Sequence, residues 1–115
     1  MSNYHEPVEL LSEKAKNITR AINSLREELE AVDWYNQRVE ASDDEELKQI
    51  MAHNRDEEIE HACMTIEWLR RNMDKWDEEL QTYLFTDQPI IEAEEGAEAS
   101  GGKPPSTGLN IGKLK

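Results

Sequence analysis

Apolar side chains repeat along the first third of this chain with the period of an α-helix. They occur alternately three and four residues apart, at Val8, Leu11, Ala15, Ile18, Ile22, Leu25, Leu29 and Val32. This heptad spacing places apolar groups along one side of a long helix. Pro7 is tolerated in a first turn, and no Gly or Pro lies between it and Ala41. The pattern therefore predicts a helix from about Pro7 to Val39.

A turn and further helices follow. Ser42 and Glu45 have the S-x-x-E spacing of a capping box, which predicts the start of a second helix. Because the connection is short, the two helices are expected to be antiparallel neighbours. The apolar positions of the second helix are Leu47, Met51, Ala62, Ile66, Leu69, Met73, Trp76, Leu80 and Tyr83. We expect a break near Asn72 and a short third helix with Asp74 as its N-cap.

The predicted fold is all-α, an antiparallel two-helix hairpin plus a short C-terminal helix. Each long helix has an apolar seam, but the hairpin has no second layer to cover it. We therefore expect a homo-oligomer, most simply a symmetric dimer that forms a four-helix bundle.

The charge and hydropathy of the chain exclude two function classes. The chain contains 13 Lys and Arg residues and 26 Asp and Glu residues, so its formal net charge is −13. A chain this acidic is not expected to bind nucleic acid by neutralising phosphates. The mean hydropathy is −0.88, and no apolar run approaches the ~18 residues of a membrane span, so no membrane association is expected.

The cysteine content and the first residues indicate the compartment. The chain has one cysteine, Cys63, which cannot form a disulfide within the chain. This suits a reducing cytoplasm. Met1 is followed by polar residues and an acidic helix, so we expect no secretory signal and a cytoplasmic location.

The composition changes after the third helix. Residues 92–107 are rich in Glu, Ala, Gly, Ser and Pro, which predicts a flexible, disordered linker. Apolar residues return at Leu109, Ile111 and Leu114. We therefore expect a helical hairpin domain over residues 1–91, a linker over 92–107 and a separate terminal segment over 108–115.

One motif on the second helix has the spacing of metal ligands. Glu58 and His61 form an E-x-x-H motif, which points a carboxylate and an imidazole at the same ion. Projection from Leu69 at about 3.6 residues per turn places Glu58 on the apolar seam and His61 at its edge. The alternative is an exposed charged turn, because Glu is so abundant that one such match is common by chance.

Glu28 on the first helix supports the metal interpretation. It borders the apolar seam and is as far from the predicted turn as Glu58, so we expect the two carboxylates at the same height, about 22 Å from the turn. Carboxylates at an apolar seam are unfavourable unless they are paired or bind metal. No Lys or Arg is obviously placed to pair with them, although Arg55 could approach Glu58.

A dimer would bring two copies of these groups together. Four carboxylates would balance two divalent cations, and two neutral His61 side chains would complete the ligand set of a di-iron or di-manganese bundle. Oxygen and imidazole donors without cysteine favour iron or manganese over structural zinc.

Other side chains near the motif each allow two interpretations. Tyr35 follows Glu28 by seven residues and lies on the same helix face. Its hydroxyl could donate a hydrogen bond to a ligating carboxylate, or the residue could be a core tyrosine. Glu27, Glu30 and Trp34 form a separate stripe, either an acidic route for cations or a solvated face. Away from this region, we expect the His53 and Glu57 pair at the surface, Cys63 pointing away from the site, and Met64 and Met73 as packing residues.

The sequence resembles the encapsulated ferritins, ferritin-like proteins packaged inside encapsulin shells. The resemblance covers nearly the whole chain and rests on five strings. They are EELEAVDWY at 27–35, HNRDEEIEHA at 53–62, EWLRR at 67–71, TYLFT at 82–86 and TGLNIGKLK at 107–115.

This resemblance implies a ferritin-like four-helix bundle with ferroxidase activity, the oxidation of Fe(II) to Fe(III) by dioxygen. Glu28, Glu58 and His61 match the ligands of a di-iron site shared across a dimer, and Tyr35 matches the tyrosine near that site. The implied metal is iron, for which calcium, manganese or zinc can substitute in crystals.

The resemblance also implies partners. Glu27, Glu30 and Trp34 match an outer metal-attraction site, and residues 108–115 resemble a cargo-loading peptide for an encapsulin shell. The implied assembly is an open ring, a pentamer of dimers, inside an encapsulin nanocompartment that stores the iron mineral. Two alternatives stay open, another ferritin-like di-metal enzyme such as a peroxide-reducing protein, and an acidic helical scaffold without metal.

Overall fold

Four α-helices and one short 3-10 helix make up the secondary structure of the computed structural model, which describes residues 4–100. The 3-10 helix is Val8–Leu10, and the α-helices are α1 (Glu13–Ala41), α2 (Glu45–Asn72), α3 (Asp74–Tyr83) and α4 (Ile90–Ser100). Residues 4–100 contain no strand, so the all-α prediction is confirmed. None of the helices in this range is both long and apolar enough to span a membrane.

The first long helix begins later than the heptad pattern predicts. Ser12 has extended backbone angles and its side chain accepts a hydrogen bond from the Ala15 N–H at 3.0 Å, so it is the N-cap of α1. A capping serine satisfies an N–H that has no partner within the helix, which fixes the start at Glu13. The prediction of a helix from Pro7 is corrected because Val8–Leu10 forms a separate 3-10 turn.

The turn between α1 and α2 is capped by a different residue from the one predicted. The Asp44 carboxylate accepts the Leu47 N–H at 2.9 Å, so Asp44 rather than Ser42 is the N-cap of α2. The Ser42 hydroxyl instead accepts the Asp44 N–H at 3.1 Å within the turn. An ionised carboxylate is favoured at this position because it also interacts with the positive end of the helix dipole.

The chain divides between Trp68 and Leu69 into two compact units, which are described separately. In the first unit, Arg55 of α2 donates to Asn36 of α1 at 3.0 Å, and Thr65 of α2 donates to Glu28 of α1 at 3.1 Å. The contact of the earlier α1 residue, Glu28, is with the later α2 residue, Thr65. The two helices are therefore antiparallel, as predicted.

The hairpin leaves its apolar seam largely uncovered. Within residues 4–68 only Ala62 is buried, and α1 contributes no buried residue. The exposed large apolar side chains of these two helices are Ile22, Leu29, Trp34, Leu47, Ile50, Ile59, Met64 and Trp68. Two helices alone therefore do not enclose a core.

The second unit begins at the end of α2. The predicted break at Asn72 is confirmed, but the N-cap of α3 is Met73, whose side chain makes no capping hydrogen bond. Asp74, predicted as the cap, lies in the first turn. Arg70 and Asp77 form an ion pair at 2.6 Å that joins the last turn of α2 to α3.

The structure corrects the predicted linker. Residues 92–100, expected to be disordered, lie in α4, which packs against α3 and buries Ala93. The physical reason is composition, because Glu and Ala are strong helix formers and Pro89 directly precedes the first turn, where its carbonyl accepts the Ala93 N–H. Residues 101–107 and the predicted terminal segment 108–115 lie outside the described residues.

Candidate metal centre

Glu58, His61 and Thr65 lie on one face of α2, spaced by three and then four residues. The His61 Nδ1 atom is 3.5 Å from Glu58 Oε1, so the i, i+3 motif brings its carboxylate and imidazole together as predicted. The Glu58 side chain is 29% exposed and that of His61 43%. Both groups are thus half-buried but still accessible to an ion from solvent.

The Thr65 hydroxyl joins this face to α1. Its Oγ1 atom lies 3.1 Å from Glu28 Oε1 and 3.1 Å from the His61 carbonyl oxygen. A hydroxyl has one proton to donate, so the two acceptors share it. Sequence reasoning missed Thr65, although its spacing of four from His61 and seven from Glu58 places it on the same helix face.

The hydrogen bond to Thr65 changes the predicted height of Glu28. Thr65 lies two turns, about 10.5 Å, further along α2 than Glu58, with which Glu28 was expected to be level. Side chains on a helix lean towards its N-terminus. On antiparallel helices, Glu28 therefore leans away from the turn and Glu58 leans towards it.

No basic side chain neutralises these carboxylates. Among the described residues, neither Glu28 nor Glu58 forms an ion pair with Lys or Arg. Arg55, the one candidate from sequence, donates instead to Asn36 and Asp56. The site thus keeps negative charge that a hard cation can balance, and its oxygen and imidazole donors suit iron or manganese.

One chain does not complete a metal site by itself. Within the part of the chain that the structure describes, no three His, Cys, Asp or Glu side chains are close enough to hold one ion. Glu58 and His61 meet on α2, whereas Glu28 is held by Thr65. These donors fit a divalent metal by their chemistry, with further ligands needed from elsewhere.

Tyr35 does not reach the Glu28 carboxylate in this chain. The Arg38 guanidinium lies over the Tyr35 ring at 5.1 Å from its centroid, and no hydrogen bond joins Tyr35 to Glu28 in the described residues. The seven intervening residues span about 10.5 Å, and Glu28 leans away from Tyr35. The hydrogen-bonding position predicted for Tyr35 is taken by Thr65, and the role of Tyr35 near the metal stays a prediction.

Two of the three residues of the predicted outer metal site lie together on the surface of α1. Glu27 and Glu30 line an open surface depression of about 300 Å³ together with Asn23 and Arg26. Arg26 donates to Asn23 at 3.1 Å and forms no ion pair with either glutamate among the described residues. Trp34 is half exposed but does not line this depression. Two carboxylates thus face solvent on one side of α1.

The remaining candidates lie at the surface. His53 Nε2 is 3.7 Å from Glu57 Oε2, and both side chains are more than half exposed, as predicted. Cys63 is exposed on α2. Met64 is 58% exposed rather than packed, and it lines an open apolar groove with Trp68 and Ala21. The packing role predicted for Met64 is therefore wrong for the single chain, because no second layer covers this groove.

Antiparallel helices with glutamate and histidine side chains on facing surfaces are the arrangement from which ferritin-like helix bundles are built. Residues 3–87 match the EncFtn-like family, and the chain belongs to that family. The resemblance to encapsulated ferritins is thereby confirmed. Membership in this family supports an iron-related, ferritin-like function.

Two relatives and one solved structure are similar to this chain. An "Encapsulated ferritin-like protein" from Rhodospirillum rubrum is 65% identical over 101 residues, which cover 85% of this chain and 72% of that protein. A "Ferritin-like protein" from Thermotoga maritima is 59% identical over 112 residues, covering 97% of this chain and 96% of that protein. A crystal structure of a Nitrosomonas europaea protein has 60% identity and a TM-score of 0.74, covering 77% of this chain and 98% of that one.

Proposed function

We propose that this protein is a ferroxidase that oxidises Fe(II) to Fe(III) with dioxygen at a di-iron site formed between two copies of the chain. The observation that carries the proposal is the contact of His61 with Glu58 at 3.5 Å, beside a Glu28 held by Thr65 and lacking any basic partner among the described residues. Each Fe(II) ion is the substrate and gives one electron to dioxygen. Carboxylate ligands favour the product because the more highly charged, harder Fe(III) ion binds oxygen donors more strongly.

Charge balance supports a site with two chains. Two copies of Glu28 and Glu58 carry four negative charges, which two Fe(II) ions neutralise. Two His61 imidazoles then add neutral donors, as in other helix bundles with di-iron carboxylate sites. Within one hairpin Glu28 is held one turn beyond His61, so the second chain is needed to bring the full donor set to both ions.

The uncovered seam supports the same assembly. Leu29, next to Glu28, is 53% exposed, and Ile50 and Met64 on α2 are 49% and 58% exposed. A second hairpin packed on this side would bury these groups and make a four-helix bundle. We propose the dimer as the catalytic unit and, following the family resemblance, a ring of five dimers as the full assembly.

We assign supporting roles to residues outside the donor set. The solvent-facing carboxylates of Glu27 and Glu30 raise the local concentration of Fe(II). Trp34, four residues after Glu30 on α1, is assigned to the same outer site. Tyr35 lies near the shared site in the dimer, where its hydroxyl can act as a donor to a ligating carboxylate.

Paired variants test the donor assignment. Glu58→Gln and His61→Ala remove proposed ligands, whereas Glu57→Gln and His53→Ala remove the same side-chain types from the exposed pair on α2. After anaerobic Fe(II) loading and exposure to oxygen, the first two should lose saturable rapid oxidation and the last two should retain it. Rapid oxidation that survives His61→Ala would contradict the site.

The oxidant and the assembly need separate measurements. Replacing dioxygen with peroxide in the same assay tests the alternative of a peroxide-reducing di-metal enzyme, which should turn over faster with peroxide. Because bound Fe(II) cancels repulsion between carboxylates at the interface, metal should also promote association. Size-exclusion chromatography should show larger species with Fe(II) than with a chelator, and an assembly indifferent to metal would contradict an interfacial site.

We further propose that residues 108–115 load the protein into an encapsulin nanocompartment in the cytoplasm, where the oxidised iron is stored as mineral. The support is the TGLNIGKLK string and the word "Encapsulated" in the name of the Rhodospirillum rubrum relative. Co-expression of a chain lacking residues 108–115 with its shell should leave iron oxidation intact and abolish packaging. Truncated chain recovered inside purified shells at the full-length level would contradict this role.

A further inference from the structure

Four large apolar side chains are exposed around the connection between α3 and α4. Leu84 is 44% exposed, Phe85 102%, Ile90 69% and Ile91 66%. Single exposed apolar residues are ordinary, but a group of this size marks a contact surface. We call these four residues the α3–α4 patch.

The backbone at Phe85 adds to the significance of the patch. Phe85 has a φ of 59° and is the one non-glycine residue with positive φ among those described. A bulky side chain in this left-handed region is strained, and such strain is a common mark of functional sites. The ring is fully exposed, so packing among residues 4–100 does not explain why an aromatic residue occurs at this position.

The helix that follows the patch is strongly acidic on its exposed surface. The exposed glutamates of α4 are Glu92, Glu94, Glu95 and Glu98. Residues 101–115 have the opposite character, with Lys103, Lys113 and Lys115 and no Asp or Glu. This segment therefore carries three positive side-chain charges in a chain whose net charge is −13.

The same segment also matches the patch in apolar content and length. Leu109, Ile111 and Leu114 are its large apolar residues. Ile90, the patch residue at the start of α4, lies about 15 Å along the helix from Ser100 at its end. The eight residues 101–108 can span at most about 29 Å when extended. Residues 109–114 can therefore return along α4 to the patch of their own chain.

We propose that residues 108–115 dock on the α3–α4 patch of the same chain, with their leucine and isoleucine side chains on Ile90, Ile91 and Phe85. The lysines then lie along the acidic surface of α4. A covalently attached segment has an effective concentration in the millimolar range, so even a weak site is occupied. This docking is independent of the proposed iron chemistry, and it covers apolar side chains of both partners.

Distance measurements by pulsed electron spin resonance on the full chain test the proposal. One nitroxide is placed at Asp87→Cys, beside the patch, and one on a cysteine appended after Lys115, in a Cys63→Ser background. The doubly labelled chain is mixed with a large excess of unlabelled chain, so that only distances within one chain are read. Docking predicts a narrow population of short distances.

Two matched variants identify the surface. Ile91→Ser removes an exposed residue of the patch and should weaken docking roughly tenfold, which depletes the short-distance population. Ile59→Ser, an exposed residue of α2, makes the same chemical change away from the patch and should leave the population unchanged. High salt should also reduce the short distances, because it screens the lysine–glutamate attraction.

Two results would overturn the proposal. The first is a broad distance distribution that Ile91→Ser does not alter, which shows that residues 108–115 do not contact the patch. The second is a lower oligomer mass caused by Ile91→Ser with no change in the distances, which assigns the patch to a second copy of the chain. Loss of packaging or of iron oxidation tests other proposals and does not affect these distances.

Discussion

Replacement of Thr65 by valine tests whether its hydroxyl positions the proposed metal ligand Glu28. Valine has nearly the shape of threonine and a similar helix propensity, so α2 should be unaffected. The substitution removes the donor that lies 3.1 Å from Glu28 Oε1. Without it, Glu28 has no hydrogen-bond donor among the described residues, and its carboxylate is free to rotate.

The expected loss of Fe(II) affinity in Thr65→Val is limited because the Thr65 hydroxyl has two acceptors. A hydrogen bond to a charged group contributes about 1.5–3 kcal/mol. The proton of Thr65 is shared with the His61 carbonyl and the site is half-buried, so the low end applies. Residues that orient metal ligands typically contribute about 10–100-fold to metal affinity. We therefore expect Thr65→Val to lower the Fe(II) affinity roughly tenfold, the lower limit of that range, which corresponds to about 1.4 kcal/mol.

Anaerobic calorimetric titration with Fe(II) measures this affinity, and the initial rate of Fe(III) formation at limiting Fe(II) should fall in parallel. Thr65→Ser keeps the hydroxyl and is the matched control, which should bind within about twofold of the unmodified chain. Because the same hydrogen bond is present without metal, Thr65→Val should also lower the free energy of unfolding of the metal-free protein, by about 1.5 kcal/mol at most. Circular dichroism should show that all three proteins are folded at the temperature of the titration. Equal Fe(II) affinity in Thr65→Val and Thr65→Ser would show that the hydroxyl does not orient Glu28.

Three further predictions concern the cap of α2, the interior of α4 and the residue Phe85 after α3. Asp44→Ala should destabilise the protein by about 1 kcal/mol in chemical denaturation, and Ser42→Ala by less, because the N-cap bond belongs to Asp44. Gly96→Ala should stabilise it by about 0.5–1 kcal/mol, since an added Cβ meets only Gln88 Nε2 at 3.7 Å. Phe85→Gly should be more stable than Phe85→Ala by about 1 kcal/mol, because only glycine is unstrained at φ 59°; equal stabilities would rule out backbone strain.

The parts of the fold that follow from hydrophobic periodicity were predictable. The heptad spacing predicted the first long helix, and the Ser42–Glu45 spacing with the apolar positions after it predicted the second. The short connection predicted their antiparallel pairing. Helix ends were less predictable because several residues compete to cap each one. Ser12 caps the N-terminus of α1, so this helix does not extend back to Pro7 as the apolar pattern predicts. At the N-terminus of α2, the cap is Asp44 rather than Ser42. The composition of residues 92–107 suggests disorder, but residues 92–100 lie in α4. The helix propensity of Glu and Ala and the burial of Ala93 stabilise this helix.

The candidate site was predictable where one helix decides the geometry. The i, i+3 spacing of Glu58 and His61 leads directly to their 3.5 Å contact. The position of Glu28 depends on two helices and on the direction in which their side chains lean, which residue counting from the turn ignores. Thr65 was missed because threonine is not a metal ligand of this class, although its place on the helix face could have been read from spacing.

The lean of helical side chains has a consequence for the proposed catalytic unit. In one hairpin, the Glu28 carboxylate is drawn towards Thr65 while Glu58 leans to the turn, so the two proposed ligands of α1 and α2 diverge. In the proposed dimer, a second hairpin related by a two-fold axis would supply each missing ligand from the other chain. The same packing would cover the apolar side chains of Leu29 and Met64, which are exposed in the single chain. Association and iron binding would then use one surface, and each would stabilise the other.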